Sequence, residues 1–166
     1  MRPVTFIHSD DDIYRGVKQE SSLFAIRQNG DDGNPLFESL VFDEAYYMKF
    51  KELFYEAQSE VTQIFSAYLK FEEVDYSYFE PQNVTNPDNI KYAVTLEMPD
   101  TFVVQMVKPI DSKIREFFIA YICYRWLETK IPTAAKEYYG RAEECKDRIR
   151  SMLEHRTKKR IKGRWF

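Results

Sequence analysis

Six basic residues crowd the last eleven positions of this chain: Arg156, Lys158, Lys159, Arg160, Lys162 and Arg164. No acid stands among them, and Trp165 and Phe166 form the tip. The chain as a whole has a formal charge of −3, which leaves residues 1–155 at −9. A basic tail on an acidic body has a binding chemistry: it attracts acidic surfaces that the body repels. Three uses fit. The tail solubilises the end of the chain, docks on a protein, or grips nucleic acid through phosphate contacts. A purely solvated tail has no use for two aromatic rings at its tip. Aromatic anchors beside Arg are what the centres of protein interfaces use.

Elsewhere, spacing argues against catalysis. Glu52, Glu56 and Glu60 share one helical face at i, i+4 and i+8. A dinuclear carboxylate site would also need Glu-x-x-His pairs, and no histidine occurs between residues 9 and 154. The triplet therefore reads as a solvated face. His8 and His155 lie at opposite ends of the sequence, neither beside a ligand partner at metal spacing, and surface positions are expected for both. Cys145 falls inside an apolar stripe and Cys123 between Ile122 and Tyr124, so both read as buried, inert thiols. The run Asn29-Gly30-Asp31-Asp32-Gly33-Asn34-Pro35 would repel phosphate and lacks the ligand spacing of a calcium loop. No enzyme activity, cofactor or metal is expected.

The bulk properties bound the frame. At 166 residues the chain is the size of one domain. Its 44% hydrophobic and 31% charged content is globular rather than disordered. Two cysteines make no disulfide framework, which points to a reducing compartment. No apolar h-region follows Met1-Arg2-Pro3, so a signal peptide is not expected. The most apolar run, Phe117 to Leu127, is eleven residues and includes Arg125, too short for the ~20 residues that span a bilayer.

Periodicity supplies the elements. Ser9 with Asp12 fits a capping box for a first helix over residues 9–28, with Ile13, Val17, Leu23 and Ile26 inward. The Asn29–Pro35 breaker then makes a loop. Tyr47, Phe50, Phe54, Ala57, Val61, Ile64 and Tyr68 step by 3 and 4, predicting a long helix over 43–69 capped by Asp43 and broadened by Leu53 and Phe65. Val74–Tyr78 and Tyr92–Met98 alternate with period two, predicting a hairpin within 72–98 whose loop is Glu80–Asn89. Pro99 and Pro109 bracket a short helix. Asp111 is expected to cap a central helix running to about Lys130. Pro132 or Thr133 starts a last helix along Ala135, Tyr138, Ala142, Cys145, Ile149 and Met152. The expected fold is mainly α: four helices with an inserted β-hairpin in residues 1–155, then the basic C-terminal tail 156–166.

This ordering resembles the head–tail connector (adaptor or head-completion) proteins of tailed phages. The resemblance runs through Phe42–Leu69, the hairpin and Ile114–Leu153. It is strongest over Phe117-Phe118-Ile119-Ala120-Tyr121-Ile122-Cys123-Tyr124-Arg125-Trp126-Leu127 and Tyr138-Tyr139-Gly140-Arg141-Ala142. The resemblance implies a homo-oligomeric ring in the virion, beneath the portal protein and in contact with neighbouring tail proteins. The C-terminal extension grips the portal, and DNA passes transiently through an acidic channel. Arg156–Phe166 would be that extension. The long acidic segment up to Asn34 departs from shorter members. The alternative is a nucleic-acid-binding regulatory protein that uses the same basic C-terminus.

Overall fold

The computed structural model describes residues 1–28, 40–42, 44–69 and 91–156. In chain order the elements are β1 (Arg2–Ser9), α1 (Asp10–Gln28), a 3-10 turn (Glu44–Tyr46), α2 (Tyr47–Phe65), β2 (Lys91–Met98), a second 3-10 turn (Val104–Met106), α3 (Val107–Leu127) and α4 (Pro132–Leu153). Among the described residues the fold is mainly α, with four helices and a two-stranded antiparallel sheet.

The strand over Tyr92–Met98 is where alternation placed it, and its partner is β1. The register runs from Arg2 opposite Met98 to Ser9 opposite Lys91. The expected strand Val74–Tyr78 and the loop Glu80–Asn89 lie outside the described residues. β1 escapes a period-two reading because its exposed positions hold Pro3, Thr5 and Ile7 rather than a run of charges. Phe6, His8, Tyr92, Val94, Leu96 and Met98 are buried, and Val4 packs half-buried against the same core. Leu69 adds an isolated bridge to Leu96, and the Glu97 N–H donates to the Tyr68 carbonyl at 2.8 Å.

Ser9 ends β1 and caps α1: its Oγ accepts the Asp12 N–H at 3.3 Å, as the capping box predicts. The inward face of α1 differs from expectation. Ile13 and Val17 are buried, but Leu23 and Ile26 are 46% and 60% exposed, and Gly16, Ser21 and Ala25 face the core instead. Small residues bring α1 close to α3. A Cβ on Gly16 would overlap Ile119 Cδ1 and lie 2.9 Å from its Cγ1. Ser21 Oγ accepts the Phe42 N–H at 3.0 Å, tying α1 to residues 40–42.

α2 buries Phe50, Leu53, Phe54, Ala57, Val61 and Phe65, the broad face the stripe predicts. Its N-cap is Tyr46, without a side-chain bond, and Asp43 lies outside the described residues. The Asp111 cap is corrected: α3 starts at Val107, and Asp111 sits inside the helix. Pro109 does not stop it, because the first-turn N–H groups have no helical partner to lose. α3 is the central element, packed on α4, α1 and α2. Pro132 opens α4 at its first turn.

The core is aromatic around Phe118. Its ring meets His8, Phe54 and Tyr92 edge-on at 5.8, 5.1 and 5.2 Å, so one side chain of α3 joins both strands to α2. On the far side, Phe42 packs on Trp126 at 4.4 Å and Trp126 Nε1–H donates to the Leu40 carbonyl at 2.8 Å.

Candidate partner-binding surface

The end of α4 fixes where the tail leaves the body. The Glu154 N–H donates to the Arg150 carbonyl at 3.2 Å and the His155 N–H to the Met152 carbonyl at 3.2 Å, closing the last turn. Arg156 then pairs with Phe102 in an antiparallel bridge. Its guanidinium turns back: Nη1 donates to the Leu153 carbonyl and to the His155 carbonyl (3.2 Å), and Nη2 approaches the Tyr68 hydroxyl at 3.4 Å. Arginine suits this place because its fork satisfies orphan helix-end carbonyls while its stem covers apolar surface. Lys158, Lys159, Arg160, Lys162, Arg164, Trp165 and Phe166 lie outside the described residues.

Beside Arg156, the C-terminal ends of α2 and α4 enclose a groove of about 400 Å³. Ile64, Ala67, Leu153 and the ring of Tyr68 supply its apolar lining. Glu60, Glu154, Lys146 and Arg150 supply its charges. Lys146 is met by Glu143 at 2.6 Å and Glu60 at 3.4 Å, and Arg150 by Asp147 at 3.0 Å. Glu154 has no ion-pair partner among the described residues. Periodicity placed Ile64 and Tyr68 on a core stripe, where they are only half-buried, and gave no signal that they border a groove.

The other chemistry-bearing residues hold the fold. Glu56 faces Arg125 at 3.3 Å and Glu60 faces Lys146, so two of the three glutamates link α2 to α3 and α4, while Glu52 pairs with Lys49 at 2.9 Å. Among the described residues, no group of three or more His, Cys, Asp or Glu could hold a metal ion. Both thiols are buried. Burial drives the Cys123 thiol far up and the Cys145 thiol up to about 11, with Glu116 adding to the latter, so neither is a thiolate near neutrality. Lys130 is an exposed residue, but its ammonium sits over the Trp126 ring, and desolvation there brings it down to about 8.

His155 is exposed as expected, but His8 is not a surface residue: it is 6% exposed. Its Nε2 lies 3.1 Å from Asp111 Oδ1, off the line of an aligned hydrogen bond. Burial lowers its pKa against the pull of Asp111 and Asp12, with Arg115 adding to the lowering. No sequence signal marks this, because β1 itself goes unread. Comparison with protein-family models, curated proteins and solved structures finds no match to this chain.

Proposed function

We propose that this chain is a non-enzymatic structural subunit of a phage head–tail connector ring. In the virion it docks on the portal protein through Arg156–Phe166, meets neighbouring tail proteins, and lines the DNA exit channel with an acidic body. The observation that carries this reading is the polarity of the chain. Six positive charges and two aromatic rings follow a body of charge −9, and Arg156 clamps the start of that tail to one place on a helical body. A tail with a fixed root and a hydrophobic tip suits a grip on another protein, because buried aromatic anchors carry interface energy while surrounding charges steer approach. The acidic body suits a channel through which DNA slides without sticking.

The test is co-assembly with portal rings, by pull-down and cryo-EM, of the full chain and of a chain ending at His155. The full chain should occupy the ring and the shortened chain should not; equal occupancy would sink the reading. Binding to duplex DNA that falls steeply with salt, without portal binding, would favour the nucleic-acid-binding regulator instead.

A further inference from the structure

We propose that the chain assembles head to tail with copies of itself: a row of tyrosines on one flank of the α3–α4 pair seats in a cation-rimmed hollow on the opposite flank of the next copy. This deepens the connector reading by naming the contact between neighbouring ring subunits, and it rests on the chain being an oligomer.

The row is made of rings that touch in sequence. Phe117 meets Tyr121 at 5.7 Å, Tyr121 meets Tyr124 at 6.0 Å, and Tyr124 on α3 meets Tyr139 on α4 at 5.1 Å. Phe117 is buried, Tyr121 and Tyr124 are half-buried and Tyr139 is 48% exposed, so the row climbs from the core to the surface. Two charged triads flank it: Arg125 between Glu56 (3.3 Å) and Glu128 (3.4 Å), and Lys146 between Glu60 (3.4 Å) and Glu143 (2.6 Å). Four acids against two cations leave this flank negative. The hollow, about 310 Å³, is lined by Pro109, Ser112, Lys113, Arg148, Ser151 and Met152. Pro109 and Met152 offer apolar surface to a ring, and the two serines offer hydroxyls to a phenol. Lys113 pairs with Glu116 and Arg148 with Glu144, while Lys108, exposed one helical turn before Ser112, is a third cation, so this rim is positive. The two flanks face apart. Lys146 and Arg148 stand two residues apart on α4, about 200° of rotation, and the buried stripe Tyr138, Ala142, Cys145 and Ile149 packs between the flanks. An aromatic anchor entering a partner's hollow is the usual centre of an interface, and opposite charges around it steer the approach. A patch and its complementary hollow on opposite sides of one molecule make a heterologous contact, which repeats from copy to copy and closes into a ring where its rotation allows.

The test is sedimentation velocity of the full-length chain over a range of concentrations. The chain should self-associate, and more strongly at low salt than at high. Tyr139→Lys breaks the row and Arg148→Glu breaks the rim, both at exposed positions, with Ser151→Arg as a second variant that fills the hollow. Thermal melts followed by circular dichroism check that each variant folds. Each variant alone should sediment as a monomer. Tyr139→Lys mixed in equal amount with either hollow variant should give a one-to-one dimer and nothing larger, because the intact hollow of one takes the intact row of the other. Three results would overturn the proposal: a full-length chain that stays monomeric at every concentration, a folded variant that assembles alone as the parent does, or a mixture that stays monomeric. A chain ending after Arg156 should still self-associate, and its failure to do so would move the contact to the tail and equally sink the idea. Portal binding is read separately, so the connector reading can fail while this contact stands, and the reverse.

Discussion

Phe118 is where single-residue energetics concentrate, because its ring touches side chains from β1, β2 and α2 at once. Phe118→Ala should cost about 3–5 kcal/mol, the range for large aromatic truncations in cores. Chemical denaturation checks it, and an unshifted midpoint would mean the ring is not central. His8 gives the chain a pH dependence whose sign follows from its burial. Its folded pKa lies below the ordinary 6.5. Above that value both states are neutral, and the stability it contributes is fully present. As pH falls below 6.5 the unfolded chain takes the proton first, so stability drops until the folded pKa is passed. Asp111 and Asp12 oppose this and Arg115 reinforces it; Tyr92, across the sheet, is neutral because burial raises its pKa. His8→Gln should flatten the stability curve between pH 7.5 and 5; an unchanged slope would assign the acid sensitivity elsewhere. Burial of both thiols and the interhelical pairing of Glu56 and Glu60 lead to a further expectation. The purified chain should turn over no hydrolase, transferase or redox substrate, and any turnover abolished by one Glu or His substitution would overturn it.

Between elements, α1 approaches α3 closely at Gly16. Gly16→Ala drives a methyl into Ile119 and should cost about 1–3 kcal/mol as overpacking. Gly140 on α4 is the control. Nothing lies within 4 Å of a Cβ built there. Gly140→Ala should therefore stabilise by up to ~1 kcal/mol through helix propensity and unfolded-state entropy. Thermal melts of the pair should move in opposite directions. This contact also explains what was legible in the sequence. α2, α3 and α4 declare themselves because large apolar residues recur at 3 and 4. The inward face of α1 hides because close packing favours Gly16, Ser21 and Ala25, leaving Leu23 and Ile26 outside as decoys. The start of α3 hides because Pro109 looks like a stop although the first turn tolerates it. The strand Lys91–Met98 was legible from alternation, but pairing is a relation between distant segments, and nothing local names β1 as the partner. The root of the tail was visible as charge, while its clamp on Tyr68 depends on two helix ends meeting in space.

For the molecule as a whole, the body and the tail separate energetically. The last buried residue of α4 is Leu153. Ending the chain after Arg156, which keeps its bonds to Leu153, His155 and Tyr68 and its bridge to Phe102, should therefore leave the melting temperature nearly unchanged, ending it at His155 should lower it, and both should abolish assembly with the partner. Trp165→Ala with Phe166→Ala should do much of the same damage, about 2 kcal/mol or more per hot-spot ring. Charge reversal at Lys158 and Lys159 should mainly slow association and change its salt dependence. Binding kinetics at two ionic strengths separate the two classes of variant. The sheet carries a different consequence, for how the chain is made. β1 pairs Arg2 with Met98 and Ser9 with Lys91, so every rung closes a loop of more than eighty residues. During translation β1 leaves the ribosome long before β2, and at 5–20 residues per second it waits roughly 4–16 s without that partner. In that interval Val4, Phe6 and Ile7 form an open edge on a nascent chain. Arg2 and Pro3, a charge and a residue with no N–H to offer, stand at its start and discourage pairing with the wrong strand.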